Sequence, residues 1–198
     1  MKTVNRIHYE DVVNNVLLVG TLDHNVFQGF LEDYRTLSCL LKEYKPNSVF
    51  EVGTNVGSGI NVMAAALPLA KIYSLDLDYE TMMLNSKQYP IGPNGEDRVG
   101  SAARVQYTQL RGDSLTFDYS AYPCEAYYVD GEHDYDHPFK ETKEILKQKP
   151  KIVIYHDADI PEVFKGIVDG GAEDDDYVLF RVEGTRIAFY LHKNFVKW

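Results

Sequence analysis

The sequence predicts an α/β fold in which a doubly wound, mostly parallel sheet is covered by helices on both faces. Three observations carry that expectation. Short β-branched and aromatic runs alternate with helix-forming stretches from Ser48 to Val168. A glycine-rich turn, Gly53-Thr54-Asn55-Val56-Gly57-Ser58-Gly59, stands where the first of those runs hands over to a helix. The rhythm breaks at the end, where the runs 177–182 and 185–192 are separated only by Glu183-Gly184, which allows a hairpin and no crossover helix.

The elements follow in order. Residues 26–44 place Phe27, Phe30, Leu31, Tyr34, Leu37, Leu40 and Leu41 at helical spacing, so the stretch reads as a helix packed on the sheet and ended by Pro46. Strands are expected at 48–52, 71–76, 104–109, 125–129 and 151–155, and helices at 58–67, 79–87, 137–147 and 161–168. These amount to five parallel strands and a C-terminal antiparallel hairpin. With 198 residues, 44% of them hydrophobic, and no Pro/Ser-rich linker, one globular unit is expected. Residues 1–45 form its N-terminal segment and helix, and 46–198 its ligand-binding body.

Bulk properties exclude several classes. A net charge of −10 and the absence of clustered Lys/Arg disfavour a grip on nucleic acid. The longest apolar stretch, near 62–70, is too short for a bilayer, and Asn14 and Asn15 interrupt what a signal peptide would keep apolar, so a cytoplasmic protein that binds no membrane is expected. Cys39 and Cys124 have no metal-type spacing and read as buried, reduced thiols.

The glycine turn is the first functional signal. Glycines at a strand-to-helix junction let backbone approach a ligand, and the helix start offers free N–H groups. On this reading Glu51, Gly53, Thr54, Asn55, Gly57 and Ser58 contact a nucleotide-like ligand. The second strand ends in Asp76, an acid placed to accept both hydroxyls of a ribose, with Asp78 as a nearby competitor. After the third strand comes Arg111-Gly112-Asp113-Ser114, a Gly-Asp turn at the same edge.

The fourth and fifth strands run into Asp130-Gly131-Glu132-His133 and His156-Asp157-Ala158-Asp159. Carboxyl ends of parallel strands line one crevice, so Asp130, His133, His156 and Asp157 should converge there. Two carboxylates and an imidazole suit a hard divalent ion, Mg2+ or Mn2+. His133 is placed to accept a proton near neutral pH.

Together these residues resemble the class I AdoMet-dependent methyltransferases, whose Rossmann-like sheet ends in an antiparallel hairpin, whereas a dinucleotide dehydrogenase would continue parallel. Gly53, Gly57 and Gly59 fit E-h-G-x-x-x-G and not G-x-G-x-x-G. This form is similar to that of the metal-assisted small-molecule O-methyltransferases of catechol and macrolide-sugar type, with Gly59 where a Ser or Thr often stands. The resemblance implies that S-adenosyl-L-methionine (AdoMet) binds to the glycine turn and Asp76, with Asp113 and Ser114 lining the adenine. It implies that Asp130 touches cofactor and takes part in catalysis, with His133 as base. It also implies that Asp130 and Asp157 hold a metal, with His156 standing where a carboxylate ligand is often found. The acceptor would be a small hydroxylated molecule, and similar enzymes form dimers or larger assemblies. Rival readings are a non-catalytic AdoMet-binding or scaffold protein of the same fold and a nicotinamide oxidoreductase. Amino methylation of DNA bases would call for D-P-P-Y or N-P-P-Y where the chain has Asp130-Gly131-Glu132-His133.

The remaining features read as structural. His137 reads as a helix-start residue, with Asp134 or Asp136 as the cap, and Glu173-Asp174-Asp175-Asp176 as a solvated turn away from the crevice. Segments 1–25 and 88–101 adjoin the mouth, where a lid would sit.

Overall fold

The computed structural model describes residues 2–14, 31–85, 91–92 and 95–196. The chain runs through β1 (Val4–His8), α1 (Tyr9–Asn14), α2 (Leu31–Tyr44), β2 (Ser48–Val52), α3 (Ser58–Ala66), β3 (Lys71–Asp76), α4 (Tyr79–Asn85) and β4 (Thr108–Arg111). It continues with β5 (Ala126–Val129), α5 (Asp136–Leu146), β6 (Ile152–Tyr155), α6 (Pro161–Gly170), β7 (Tyr177–Glu183) and β8 (Ala188–His192).

Strand periodicity sets the layers, because successive side chains point to opposite faces. On one face Val49, Ala126, Tyr128, Ile152, Ile154, Phe189 and Leu191 pack with Leu37 and Leu41 of α2 and Ile60 and Met63 of α3. On the other, Phe50, Tyr127, Val129, Val153, Tyr155 and Tyr190 pack with Ile145 of α5 and Val163 and Ile167 of α6. The central strands are apolar on both sides, as a sheet covered on both faces requires.

The sheet order is β1-β7-β8-β6-β5-β2-β3-β4. Strands β2 to β6 pair in parallel, and β8 inserts antiparallel between β6 and β7. The expected five parallel strands with an antiparallel end are therefore present. The link between β7 and β8 is residues 184–187, not the two residues expected, because Thr185 to Ile187 leave the ladder. Arg186 O instead accepts from Ala158 N–H at 2.8 Å.

Two differences from the sequence reading have local causes. Strand β1 pairs in parallel with β7, from Val4 opposite Leu179 to His8 opposite Glu183. So short a run carries little signal of its own, because strand formation depends on its partner. The strand expected at 104–109 begins instead at Thr108, opposite Tyr73. The residues before it are drawn onto the glycine turn and α3: Gly100 N–H donates to Asn55 O (2.8 Å), Ala102 N–H to Val56 O (2.8 Å), and Arg104 N–H to Asn61 Oδ1 (2.9 Å). The expected helical residues 26–30 and 86–87 lie outside the described residues, as do 1, 15–25, 88–90 and 93–94 of the two lid candidates.

Cys39 and Cys124 are buried free thiols, and residues 173–176 form a turn at the amino ends of the strands. Among the described residues no helix is long and apolar enough to cross a membrane.

Phe189 is fully buried and stacks on Phe180 at 5.0 Å between centroids. Phe189→Ala is expected to cost about 3–5 kcal/mol. Urea denaturation should show a lower midpoint at unchanged slope.

Candidate cofactor and catalytic site

Sheet connections reverse direction between β2 and β5, for β2 leads outward to β3 and β4 while β5 leads to β6. Loops part at such a switch point and leave a crevice. Here it is a cavity of about 710 Å³, lined by the glycine turn, the segments after β3 and β4, and the β5–α5 loop. That size is usual for a small-molecule site.

Two backbone hydrogen bonds hold its floor: Gly53 N–H to Leu75 O (2.9 Å) and Asp130 N–H to Val52 O (2.8 Å). Gly53 has φ 94°, and a Cβ there would overlap the Asp130 carbonyl, so only glycine lets the two loops meet. Asn55 also lies in the left-handed region (φ 46°), which asparagine tolerates better than most residues. Gly57 departs from the expectation that it faces a ligand. It is absent from the cavity lining, and a Cβ on it would press on Ala103 at 3.0 Å, so its role is to let residues 100–103 pack against the turn. It also precedes α3 without a side-chain cap, while Ser58 and Gly59 line the cavity.

Beneath the turn lies a chain of hydrogen bonds. Gln109 Nε2 donates to Thr54 Oγ1 (2.9 Å), Thr54 Oγ1 and Ser74 Oγ are 2.7 Å apart, and Ser74 meets the Glu51 carboxyl. Thr54 therefore spends its hydroxyl on the scaffold, although it borders the cavity. A Cβ on Gly59 would overlap Glu51 Oε1, which explains the glycine at this position. Burial pushes the Glu51 carboxyl well above the usual range, and the Ser74 bond offsets this only in part. A cationic group entering the cavity beside it would favour the carboxylate.

The ribose candidates separate cleanly. Asp76 lines the cavity and accepts N–H groups from Asn55 and Leu77, both at 2.8 Å. Asp78 instead caps α4, accepting from Thr81 N–H and Oγ1, both at 2.8 Å. Asp113 and Ser114 line the same cavity, and Ser114 Oγ donates to the buried Glu141 at 2.6 Å. Burial pushes the Glu141 carboxyl up to about 7, against the Ser114 hydrogen bond.

The fourth and fifth strands bring their polar residues together as expected. His133 lines the cavity, and its Nε2 lies 2.6 Å from Asp157 Oδ2. Asp157 has φ 55°, a strained conformation for a non-glycine residue that persists only where the surroundings over-determine it. Its Oδ2 also lies 3.0 Å from His156 Nδ1, and its Oδ1 meets the Arg186 guanidinium. His156 Nδ1 is 3.2 Å from Asp130 Oδ1, and its Nε2 is 3.1 Å from Asp33 Oδ2. Tyr128 OH donates to Asp130 Oδ2 at 2.9 Å.

Burial opposes charge on His156, yet hydrogen bonds to Asp130, Asp157 and Asp33 push its pKa up to about 12. Burial likewise raises the Asp157 carboxyl, but His133 and His156 outweigh it and hold the group well below the usual range. The hydrogen bond to Asp157 raises His133, against partial burial. His137 belongs to the start of α5, whose N-cap position is Tyr135, and its N–H is held by Asp134 Oδ1 at 2.9 Å, one residue before that cap.

Four participants escaped the sequence reading: Tyr34, which lines the cavity, and Asp33, Tyr128 and Arg186. Asp33 had left a signal, an acid one helical turn before Leu37 on α2. Arg186 had left none, because a turn arginine reads as solvated.

No family model and no curated protein matches the chain. Solved structures do. An O-methyltransferase from Streptomyces achromogenes involved in tomaymycin synthesis, in complex with SAM, superposes with a TM-score of 0.58 at 16% identity, covering 93% of this chain and 96% of that one. A methyltransferase from Podospora anserina bound to SAH gives 0.58 at 11%, covering 94% and 86%. The apo TDP-rhamnose 3'-O-methyltransferase of calicheamicin biosynthesis gives 0.54 at 16%, covering 93% and 91%. The likeness at these identities is one of fold, and the chain has the class I methyltransferase fold.

Glu51 yields a test with a definite sign. Its folded pKa stands above the ordinary value, so its contribution to stability is fully present below the unfolded pKa and is lost as pH rises towards the folded one. Glu51→Gln cannot ionise. Its Tm relative to wild type is expected to climb as pH rises from about 4.5, and a difference that is flat between acid and neutral pH would refute a buried neutral Glu51.

Proposed function

We propose that the protein transfers a methyl group from AdoMet to a hydroxyl oxygen of a small molecule. The observation that carries this reading is the convergence, on one cavity, of the glycine turn, Asp76, Asp113 and the His133–Asp157 pair. The residues fit the cofactor. Asp76 keeps acceptor capacity for two ribose hydroxyls beyond the two N–H groups it already binds. Asp113 and Ser114 would border the base. Glu51, Asp130 and Tyr34 lie where an ammonium would find carboxyl and hydroxyl partners, and the start of α3 suits a carboxylate. When bound, AdoMet supplies an electrophilic methyl group on a sulfonium.

His133 is the base in this scheme. Asp157 holds its Nε2 at 2.6 Å, which keeps the proton on that nitrogen and leaves Nδ1 basic. The acceptor O–H gives its proton to Nδ1 as the oxygen takes the methyl group, and Asp157 stabilises the imidazolium that results. Divalent-metal assistance, which the sequence suggested, has its three heads within 4.8 Å of one another, at Asp130, His156 and Asp157. Those heads are engaged with protein cations and donors, so no step is assigned to an ion. A nicotinamide enzyme is the poorer fit, because β8 runs antiparallel within the sheet.

Calorimetric titration tests the reading. AdoMet and AdoHcy are expected to bind, with Asp76→Ala weakening both by about tenfold or more, and no binding to wild type would sink the proposal. In a screen of hydroxylated small molecules followed by mass spectrometry, His133→Asn should lower turnover about 10²–10⁴-fold while AdoHcy affinity is kept.

A further inference from the structure

We infer that the chain carries its own cations where a divalent ion would otherwise assist, with Arg186 as the fixed charge that excludes the ion and positions the His133–Asp157 pair. The inference rests on the methyl-transfer reading for its catalytic meaning, and its structural part stands by itself.

Mg2+ and Mn2+ demand carboxylate oxygens free to converge on one point with near-octahedral geometry. Asp157 offers neither oxygen, because Oδ1 meets Arg186 and Oδ2 faces both His133 and His156. Asp130 has Oδ1 against His156 and Oδ2 against the Tyr128 hydroxyl. The two nitrogens of His156 each face a carboxylate, Nδ1 those of Asp130 and Asp157 and Nε2 that of Asp33. The ring thus sits among the acids as a cation would.

Location gives a second, independent argument. An ion that activates an acceptor oxygen has to be open to the cavity. Asp130 and His133 line it, but His156 and Asp157 do not; both are buried behind them, with only a small adjoining space between. An ion among the three heads would lie under the floor of the site.

Arg186 is no wandering surface side chain. Its N–H donates to Asp33 Oδ1 (2.8 Å), its carbonyl accepts from Ala158 N–H (2.8 Å), and its Nε meets Asp159 Oδ1 at 3.0 Å. A guanidinium stays charged at every accessible pH. Held there, its guanidinium meets Asp157 Oδ1 and fixes that carboxylate in place for His133, so Arg186 is a positioning residue that reaches the acceptor only through that pair.

The test titrates Mn2+ into wild type, Arg186→Met, Arg186→Lys and Asp157→Asn, following free Mn2+ by electron paramagnetic resonance, with AdoHcy calorimetry on the same samples. Wild type and Arg186→Lys are expected to leave the Mn2+ signal undiminished up to about 1 mM, and Arg186→Met to gain saturable binding at least about tenfold tighter. Stoichiometric Mn2+ uptake by wild type, abolished in Asp157→Asn, would overturn the inference, and this titration decides even if Arg186→Met does not fold. Equal binding by the Lys and Met variants, or none by Met, would remove the assigned role of Arg186. AdoHcy that fails to bind wild type would count against the methyl-transfer reading, whereas Mn2+ uptake with AdoHcy binding intact counts against this inference alone.

Discussion

The crevice depends on how closely two loops can approach at the carboxyl ends of β2 and β5. Gly53 at φ 94° lies against the Asp130 carbonyl with no room for a Cβ, and Asp130 N–H closes onto Val52 O. That single backbone contact sets the glycine turn, which faces the cavity from one side, against the β5–α5 loop, which carries His133 on the other. Any side chain at Gly53 would push the two apart and separate the ligand cradle from the base.

Around that contact the protein keeps two polar systems of opposite character, one in the interior and one reaching the surface at His133 and Asp159. Glu51, Ser74, Thr54 and Gln109 form a linear chain whose one carboxyl is pushed well above the usual range by burial. Asp33, Asp130, Asp157 and Asp159 instead lie beside His133, His156 and Arg186, a compact set in which each carboxyl meets an imidazole or guanidinium. Burying charge is tolerable only when each group finds partners. The first system can respond to a cationic ligand, while the second is cross-linked by ion pairs and opens to the cavity at His133, and this contrast suits one to binding and the other to holding a base in place.

Much of the fold was legible because the central strands announce themselves. The bounds 48–52 and 71–76 agree with β2 and β3, whose apolar runs end abruptly in turn residues. The placement of Asp76, Asp113, Asp130 and His133 at the cavity was also legible, since each ends a strand or lies in the loop just after one whose carboxyl end faces the crevice. What escaped depends on contacts between distant segments. Strand β1 exists through β7, the onset of β4 is delayed by residues docked on α3, and Arg186 gains meaning only because Asp33 and Ala158 draw its backbone inward. No local pattern encodes a partner that lies in a distant segment of the chain.

The pairing of β1 with β7 has a consequence for biosynthesis. Val4 sits opposite Leu179, so β1 is synthesised long before the strand it pairs with exists. Contacts between such distant segments form slowly, and unpaired strand edges invite association with other chains. Until β7 is made, β1 lacks its partner strand, and completion of β7 is the event that pairs it.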